Sequence, residues 1–164
     1  MHYVAADAEE LPFIEETFDA VTCRIAPHHF PEPALFIKEV ERVLKTGGLF
    51  LMIDNVAAED RELDRFYNTF EKMRDPSHCR ALQISEWKRL LNKHKLSLIN
   101  DLSRKKKLPF PEWARRTTDE KGVRAVQDYF LKASESNKKH FNIQRDGDQI
   151  TEFTIDEWMV LCQK

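Results

Sequence analysis

A helical segment between two apolar strands is the feature that most constrains the fold of this chain. The helical pattern runs from residue 32 to residue 45, with apolar side chains at helical spacing. A β-rich stretch at 18–24 precedes it, and we expect this stretch to be a buried strand. Five consecutive apolar residues follow at 49–53, a pattern typical of a strand covered on both faces. A strand, a helix and a strand with short connections form a βαβ unit, so we predict an α/β fold with a mostly parallel sheet.

The other predicted elements have weaker signals. Gly47-Gly48 is expected to end the first helix, and Ser85 is expected to be the N-cap of a later one. The remaining predictions are a short strand at 3–6, a helix at 60–74, a strand at 95–101, two helices within 109–137, a hairpin at 141–153 and a last buried strand at 158–162.

Composition excludes several classes of protein. The 164 residues carry 26 Lys and Arg against 28 Asp and Glu, so no strongly basic surface for nucleic acid is expected. No apolar run approaches the roughly 18–20 residues of a membrane-spanning helix, and the N-terminus does not resemble a signal peptide. The odd number of widely spaced cysteines (Cys23, Cys79 and Cys162) favours reduced thiols. We therefore expect a cytoplasmic, single-domain protein with no membrane partner.

Three segments occur in a specific order and spacing, at residues 6–13 (ADAEELPF), 18–24 (FDAVTCR) and 42–54 (RVLKTGGLFLMID). Together they resemble the class I S-adenosylmethionine-dependent methyltransferases, in the small-molecule branch that includes the ubiquinone and menaquinone biosynthesis C-methyltransferases. Residues 75–78 and 85–87 also look like a subgroup of that branch, so the resemblance covers nearly the whole chain. It implies a Rossmann-like fold, S-adenosylmethionine as cofactor and a small molecule as methyl acceptor.

One large departure from the family concerns its glycine-rich loop. The family's strand order is 3-2-1-4-5-7-6, and the resemblance implies that this chain supplies strands 4-5-7-6, with an antiparallel last strand and helical segments on the substrate side. In the family, a glycine-rich loop after the first strand holds the methionine part of the cofactor. The glycines here are Gly47, Gly48, Gly122 and Gly147, and no G-x-G pattern occurs. We therefore expect residues 1–164 to form one methyltransferase-like domain that lacks the N-terminal, glycine-rich cofactor-binding half.

The resemblance implies four cofactor-binding residues. Asp7 and Ala8 match the position that reads adenine, where a carboxylate can accept from the exocyclic amine and the next N–H can donate to a ring nitrogen. Arg24 and Ile25 follow the strand at 18–24, and ligands of open α/β sheets lie at the carboxyl ends of strands. The alternatives are a turn cap at Asp7 and an ordinary strand exit at Arg24.

His28 and His29, in the same loop, are the best candidates for a general base, because histidine can take a proton near neutral pH. The alternative is a pair of surface or structural histidines. Methyl transfer also does not require a base, since the alignment of nucleophile and sulfonium by itself lowers the barrier.

Substrate contacts are expected from three further residues. Asp54 and Asn55 end the strand at 49–53, and His78 follows a helix-breaking Asp-Pro-Ser sequence. The alternatives are a helix cap for the first two and a plain helix break at His78. An aromatic stripe could roof an apolar substrate pocket or pack in the core; its members are Phe66, Tyr67 and Phe70.

Two other kinds of site are disfavoured. The pairs His28-His29 and His78-Cys79 are adjacent, whereas zinc ligands are usually spaced by two or more residues, so no metal site is expected. The basic run at 104–107 is short and isolated, and we interpret it as a solvated loop.

The expected loss of neighbouring strands would leave the strand at 18–24 on the edge of the sheet. Proteins cover apolar edges, so we expect pairing of residues 20–24 with a second copy, with a complementing chain or with the chain's own first residues. Two functions remain open. One is the C-terminal part of a methyltransferase acting on a small molecule, and the other is a non-catalytic remnant or binding module that is active only with an N-terminal segment or partner.

Overall fold

The computed structural model describes residues 2–164 and contains a five-stranded sheet with helices packed on it. The elements are β1 (Phe18–Arg24), a 3-10 turn (Pro27–His29), α1 (Pro33–Val43), β2 (Leu44–Val56), α2 (Arg61–Arg74), α3 (Ile84–Lys93), β3 (Ser97–Pro109), α4 (Phe110–Ala114), α5 (Glu120–Leu131), α6 (Glu135–His140), β4 (Gln144–Asp146) and β5 (Gln149–Gln163).

The strand order confirms the βαβ unit and corrects the expected pairing. β1 and β2 are parallel and are joined through α1. The sheet order is β1-β2-β5-β3, with the short β4 paired to β5, and it matches the 4-5-7-6 order that the resemblance implied. The last strand, β5, runs antiparallel to its neighbours β2 and β3, as the resemblance implied. Among the paired strands of residues 2–164 only β1 and β2 are parallel, so the sheet is mixed and a mostly parallel sheet is not confirmed.

Helices α2 and α3 begin at side chains that satisfy free backbone N–H groups. Asp60 caps α2, because its carboxylate accepts from the N–H groups of Glu62 (2.9 Å) and Leu63 (3.1 Å). Gln83 caps α3 and forms a capping box with Glu86. The prediction of Ser85 as N-cap is therefore wrong by two residues.

The aromatic stripe of α2 belongs to a core. Phe66, Tyr67 and Phe70 are at most 4% exposed. They pack with aromatic side chains of α4, α5 and β5, and Phe70 meets Phe130 at 4.8 Å and Phe153 at 5.7 Å between ring centroids. The alternative of core packing is thus the one that the structure supports.

The sheet has one covered and one uncovered face. Phe50 and Met52 point toward the helices and are fully buried, whereas Leu49 of the same strand is 39% exposed. On the outer strand β3, Leu102 is 58% exposed. The expectation that the strand at 49–53 is covered on both faces is therefore wrong. The prediction of a buried strand at 18–24 is also wrong, because every side chain of β1 is partly or fully exposed.

Three further predictions need correction. Residues 3–6 form no strand, because no strand of residues 2–164 pairs with them, and Tyr3 is 88% exposed. Gly47 and Gly48 lie within β2 rather than ending α1, and the N–H of Gly47 donates to the carbonyl of Lys164. The segment at 109–137 holds α4, α5 and the start of α6 rather than two helices.

The basic run at 104–107 is part of strand β3 and not a loop. Its side chains face acidic residues of β5 across the ladder, with Lys105 at 2.8 Å from Asp156 and Lys107 at 2.7 Å from Glu152. This pairing explains why four consecutive basic residues occur in a strand, since opposite charges on adjacent strands attract. No helix of residues 2–164 has the length and apolar character needed to cross a membrane.

Candidate functional site

The candidate site lies where the parallel strands β1 and β2 end. The chain leaves β1 through Ile25, whose N–H donates to the carbonyl of Ile53 (2.8 Å). Ile25 has a φ of +51°, which is rare and costly for a β-branched residue. This strained exit turns the chain into the 3-10 turn, which brings His28 over the end of β2.

His28 and Asp54 form a buried pair. The Nδ1 atom of His28 lies 2.6 Å from Oδ1 of Asp54, and the backbone N–H of His28 donates to Oδ2 (3.0 Å). Their exposed fractions are 6% and 1%. Because an ionised carboxylate only accepts, Nδ1 of His28 carries the proton, and Nε2 of the neutral ring keeps its lone pair. This is the orientation that a carboxylate gives to a catalytic base.

His29 is oriented in a similar way through a serine. The hydroxyl of Ser77 donates to Asp75 (2.6 Å), so its single proton is already used. The contact of 3.1 Å between Ser77 and Nδ1 of His29 therefore has the histidine as donor. Nε2 of His29 is then also a free acceptor when the ring is neutral.

His78 is a neutral, buried histidine with a fixed tautomer. The Oδ1 atom of Asn68 accepts from the N–H of Ala81 (2.8 Å), which identifies it as the acceptor for Nε2–H of His78 (2.9 Å). Nδ1 of His78 is buried and has no partner within residues 2–164. Burial, followed by the nearby charges of His28 and His29, lowers the pKa of His78 to about 4.

This lowered pKa predicts a pH-dependent stability. Between pH 6.5 and 4 the unfolded chain binds a proton at His78 and the folded chain does not, so stability falls as the pH drops through this range. The expected loss is up to about 3 kcal/mol. Urea unfolding at pH 7.5 and pH 4.5 measures it, and in His78→Asn the difference between the two pH values should be clearly smaller. An equal pH dependence in both proteins would contradict a depressed pKa of His78.

The three histidines form one cluster with ring centroids 4.3–6.4 Å apart. The carbonyl of His28 accepts from the N–H groups of Cys79 and Arg80, both at 3.0 Å, which fixes the loop at 75–80 against the 3-10 turn. Within residues 2–164, no group of three or more potential ligands has a geometry that could hold a metal ion. The sequence predicted His28, His29, Asp54 and His78 separately, and the structure brings them together.

Asn55 and Arg24 point away from this cluster. Successive residues of a strand face opposite sides, so Asp54 lies with His28 while Asn55 lies on the uncovered face, opposite Glu157 of β5. Oδ1 of Asn55 is buried and unpartnered among the described residues. Arg24 lines a cavity of about 150 Å³ on the same face, together with Ile53, Leu102, Arg104, Glu157 and Met159.

Asp7 and Ala8 lie in a turn next to the start of α1. The Oδ1 atom of Asp7 accepts from the N–H of Glu9 (2.8 Å), as in the turn-cap alternative, and the Asp7 side chain is exposed. Glu9 in turn accepts from the N–H of Glu32 (2.7 Å), just before α1. This bond ties the turn to the segment that follows the histidine loop.

Sequence reasoning missed the residues that orient the histidines. Asn68 lies in the middle of α2, and Asp75 and Ser77 lie in the turn that follows. The Asp-Pro-Ser sequence predicts a helix break and does not by itself predict the contact between Ser77 and His29. The available signal was a Ser and an Asp directly beside a histidine, residue types that commonly orient imidazoles.

Comparisons with known proteins identify the family of this chain. A family described as "Methyltransferase domain" matches residues 1–52. The structure of a Bacillus halodurans protein that carries the name methyltransferase superposes with a TM-score of 0.96 at 36% identity, over 99% of this chain and 76% of that one. This chain belongs to the class I S-adenosylmethionine-dependent methyltransferases.

This chain matches two curated relatives over different shares of their own length. YafE from Escherichia coli (strain K12) is 35% identical over 158 residues, which is 96% of this chain and 74% of that protein. The methyltransferase YcgJ from Bacillus subtilis (strain 168) is 39% identical over 109 residues, which is 66% of this chain and 43% of YcgJ. A substantial part of each relative therefore lies outside the matched region.

Proposed function

We propose that this protein transfers a methyl group from S-adenosylmethionine to a small molecule at the histidine cluster. The observation that carries the proposal is the buried His28–Asp54 pair at the carboxyl ends of two parallel strands, where open α/β sheets bind their ligands. A matching relative from Sinorhizobium fredii, 39% identical over 70 residues (43% of this chain and 27% of that protein), is by name a ubiquinone/menaquinone biosynthesis C-methyltransferase. This name supports a small organic acceptor.

The described residues fit one end of the cofactor and not the other. Asp7, Ala8, Arg24 and Ile25 are the residues that would contact the adenosine part, and the left-handed φ of Ile25 is a strain typical of ligand-binding turns. No glycine turn occurs at the carboxyl ends of the strands within residues 2–164, because Gly47 and Gly48 lie at the opposite end of β2. We propose that a complementing segment or a partner holds the methionine end.

His28 is the proposed base, and Asp54 is its positioning residue. When it is bound, S-adenosylmethionine supplies a methyl group on a sulfonium. The acceptor loses a proton from the attacking atom, and Nε2 of His28 takes this proton. Asp54 stabilises the resulting imidazolium and holds the ring in place through Nδ1. His29 is the second candidate base, and His78 is proposed to line the substrate side of the cluster.

A second candidate function is that of a non-catalytic remnant or binding module. The absence of a glycine turn among the described residues favours it for the 164-residue chain alone. In both cases we propose that the exposed strand at 20–24 pairs with another chain, either a complementing segment or a second copy, since its outer backbone groups are unpaired within the described sheet.

Calorimetric titration with S-adenosylhomocysteine separates the two functions. The enzyme function predicts saturable heat and a thermal shift that disappears in Asp7→Ala, while Glu15→Ala, a nearby exposed carboxylate, leaves binding unchanged. No heat and no thermal shift at millimolar ligand would leave only the remnant or binding-module function.

A further inference from the structure

A surface groove of about 590 Å³ lies between helix α2 and the loop at 75–80. We call it the α2 groove. One of its walls consists of two ridges of α2, since side chains four residues apart lie on the same face of a helix. The first ridge is Asp64, Asn68 and Lys72, and the second is Arg65, Thr69 and Met73. Cys79 and Arg80 of the loop complete the lining.

The carboxylate of the α2 groove is already engaged. Asp64 lies 3.1 Å from the guanidinium of Arg80, and its Oδ1 atom accepts from the amide of Asn68 (2.6 Å). Arg80 also pairs with Glu86 at 2.9 Å. These charges therefore compensate one another and leave no carboxylate for the other cations of the groove.

Two cations of the α2 groove have no carboxylate partner within residues 2–164. Arg65 is exposed and forms no ion pair or side-chain hydrogen bond with any of these residues. The ammonium group of Lys72 donates to the backbone carbonyls of Pro76 and His78, both at 2.8 Å. A neutral carbonyl does not cancel a charge, so the groove carries uncompensated positive charge at two points.

Thr69 lies between these two charges on the helix. Arg65 and Lys72 are seven residues apart, which is nearly two turns and about 10 Å along the axis, so both leave the same face of α2. Both side chains are long, and they can bend toward a ligand over the half-buried Thr69. The Thr69 hydroxyl makes no hydrogen bond to another residue of the described chain. A guanidinium, a hydroxyl and an ammonium together match the oxygens and the double negative charge of a phosphate group.

The α2 groove also has an apolar end. Met73 is half-buried, packs against the aromatic core and lies one turn beyond Thr69. A thioether side chain is flexible and adapts to the shape of an apolar ligand. A phosphate attached to an apolar group would therefore gain a contact that inorganic phosphate lacks.

Residues of the α2 groove also hold the histidine cluster. Asn68 accepts from Nε2–H of His78 (2.9 Å), and the thiol of Cys79 donates to the carbonyl of His29 (3.1 Å). A ligand in the groove would thus contact residues that position two of the three histidines.

We propose that the α2 groove binds a phosphate group through Arg65, Thr69 and Lys72. This goes beyond the proposed function, because the groove holds neither the methyl donor nor the base. The phosphate is either free in solution or attached to an apolar molecule, and Met73 favours the second source.

An NMR titration of the isotope-labelled 164-residue chain with phenyl phosphate tests the proposal, at low ionic strength because salt screens exposed charges. The amide signals of Thr69, Lys72 and Cys79 should shift together and saturate. Arg65→Gln should weaken binding about 10-fold, because charge-assisted hydrogen bonds are the strong ones. Arg145→Gln is the matched control, since it removes the same charge from β4 at a different cavity, and it should change affinity less than about 2-fold.

A second titration, with inorganic phosphate, identifies the source of the phosphate. Affinity about 5-fold weaker than for phenyl phosphate would identify a phosphate attached to an apolar molecule, because the free ion lacks the contact with Met73. Equal affinities would identify free phosphate. In either case Thr69→Val, which keeps the shape and removes the hydroxyl, should weaken binding about 3-fold.

Three results would overturn the proposal. They are the absence of saturable shifts at millimolar phenyl phosphate, equal effects of Arg65→Gln and Arg145→Gln, and equal affinity for benzyl alcohol, which has a ring and no charge. Arg65 makes no side-chain contact that the fold needs, so a loss of binding in Arg65→Gln is not a loss of folding. The test is independent of methyl transfer, because a chain that binds phenyl phosphate and no S-adenosylhomocysteine would contradict the proposed function and support the phosphate site.

Discussion

Replacing Asp54 by alanine is expected to lower the free energy of unfolding by about 3–5 kcal/mol, the usual cost of removing one partner from a buried pair. The carboxylate is 1% exposed and accepts two hydrogen bonds from His28, one from the ring and one from the backbone. Its loss would leave two buried donors unpaired and release the 3-10 turn. Urea unfolding at pH 7.5 measures the change.

Two further variants show whether the effect comes from the pair. Asp54→Asn keeps an acceptor of the same shape, and it should cost clearly less than Asp54→Ala. In a double-mutant cycle, the loss from Asp54→Ala should be much smaller when His28 is already alanine. A loss below 1 kcal/mol for Asp54→Ala would show that the pair does not hold the turn.

The His28→Gln variant is expected to transfer methyl groups about 10²–10⁴-fold more slowly than the wild type, the usual contribution of a general base. Glutamine can still donate to Asp54 but cannot take the proton of the acceptor. Turnover is followed with radiolabelled S-adenosylmethionine, in the complex with the complementing segment, on an acceptor that the wild type methylates. Binding of S-adenosylhomocysteine should stay within 2-fold.

His94 provides the control for this experiment, because it follows α3 and lies outside the histidine cluster. His94→Gln should leave turnover unchanged. If His28→Gln retains more than a third of the wild-type rate while His29→Gln loses most of it, His29 is the base. If both His28→Gln and His29→Gln retain more than a third of the wild-type rate, alignment alone drives the reaction. The acceptor then needs no base from this chain.

The β1-α1-β2 unit could be predicted from the sequence because its signals are local. The helical spacing and the run at 49–53 depend on neighbouring residues, and the structure confirms both elements within a few positions. The residues of the histidine cluster could also be predicted, because the three histidines lie in loops that follow predicted elements and Asp54 comes directly after the apolar run at 49–53. Their mutual contacts could not, because His28 and Asp54 are 26 residues apart.

The coverage of the sheet could not be predicted from the same signals. An apolar run such as 49–53 indicates that both faces prefer burial, but not whether this chain supplies both layers. The opposite orientations of Asp54 and Asn55 follow from the two-residue period of a strand, once the strand is known to extend to Val56. The role of the basic run at 104–107 needed the register with β5, which no local pattern contains.

The proposed cofactor site is tested most directly by an NMR titration of the isotope-labelled chain with S-adenosylhomocysteine at millimolar concentration. We expect the amide signals of Asp7, Ala8, Arg24, Ile25 and His28 to shift together and to saturate with one dissociation constant. Signals of the aromatic core around Phe70 should stay in place. Shifts that are absent, or that cluster away from the ends of β1 and β2, would contradict the assignment of this site.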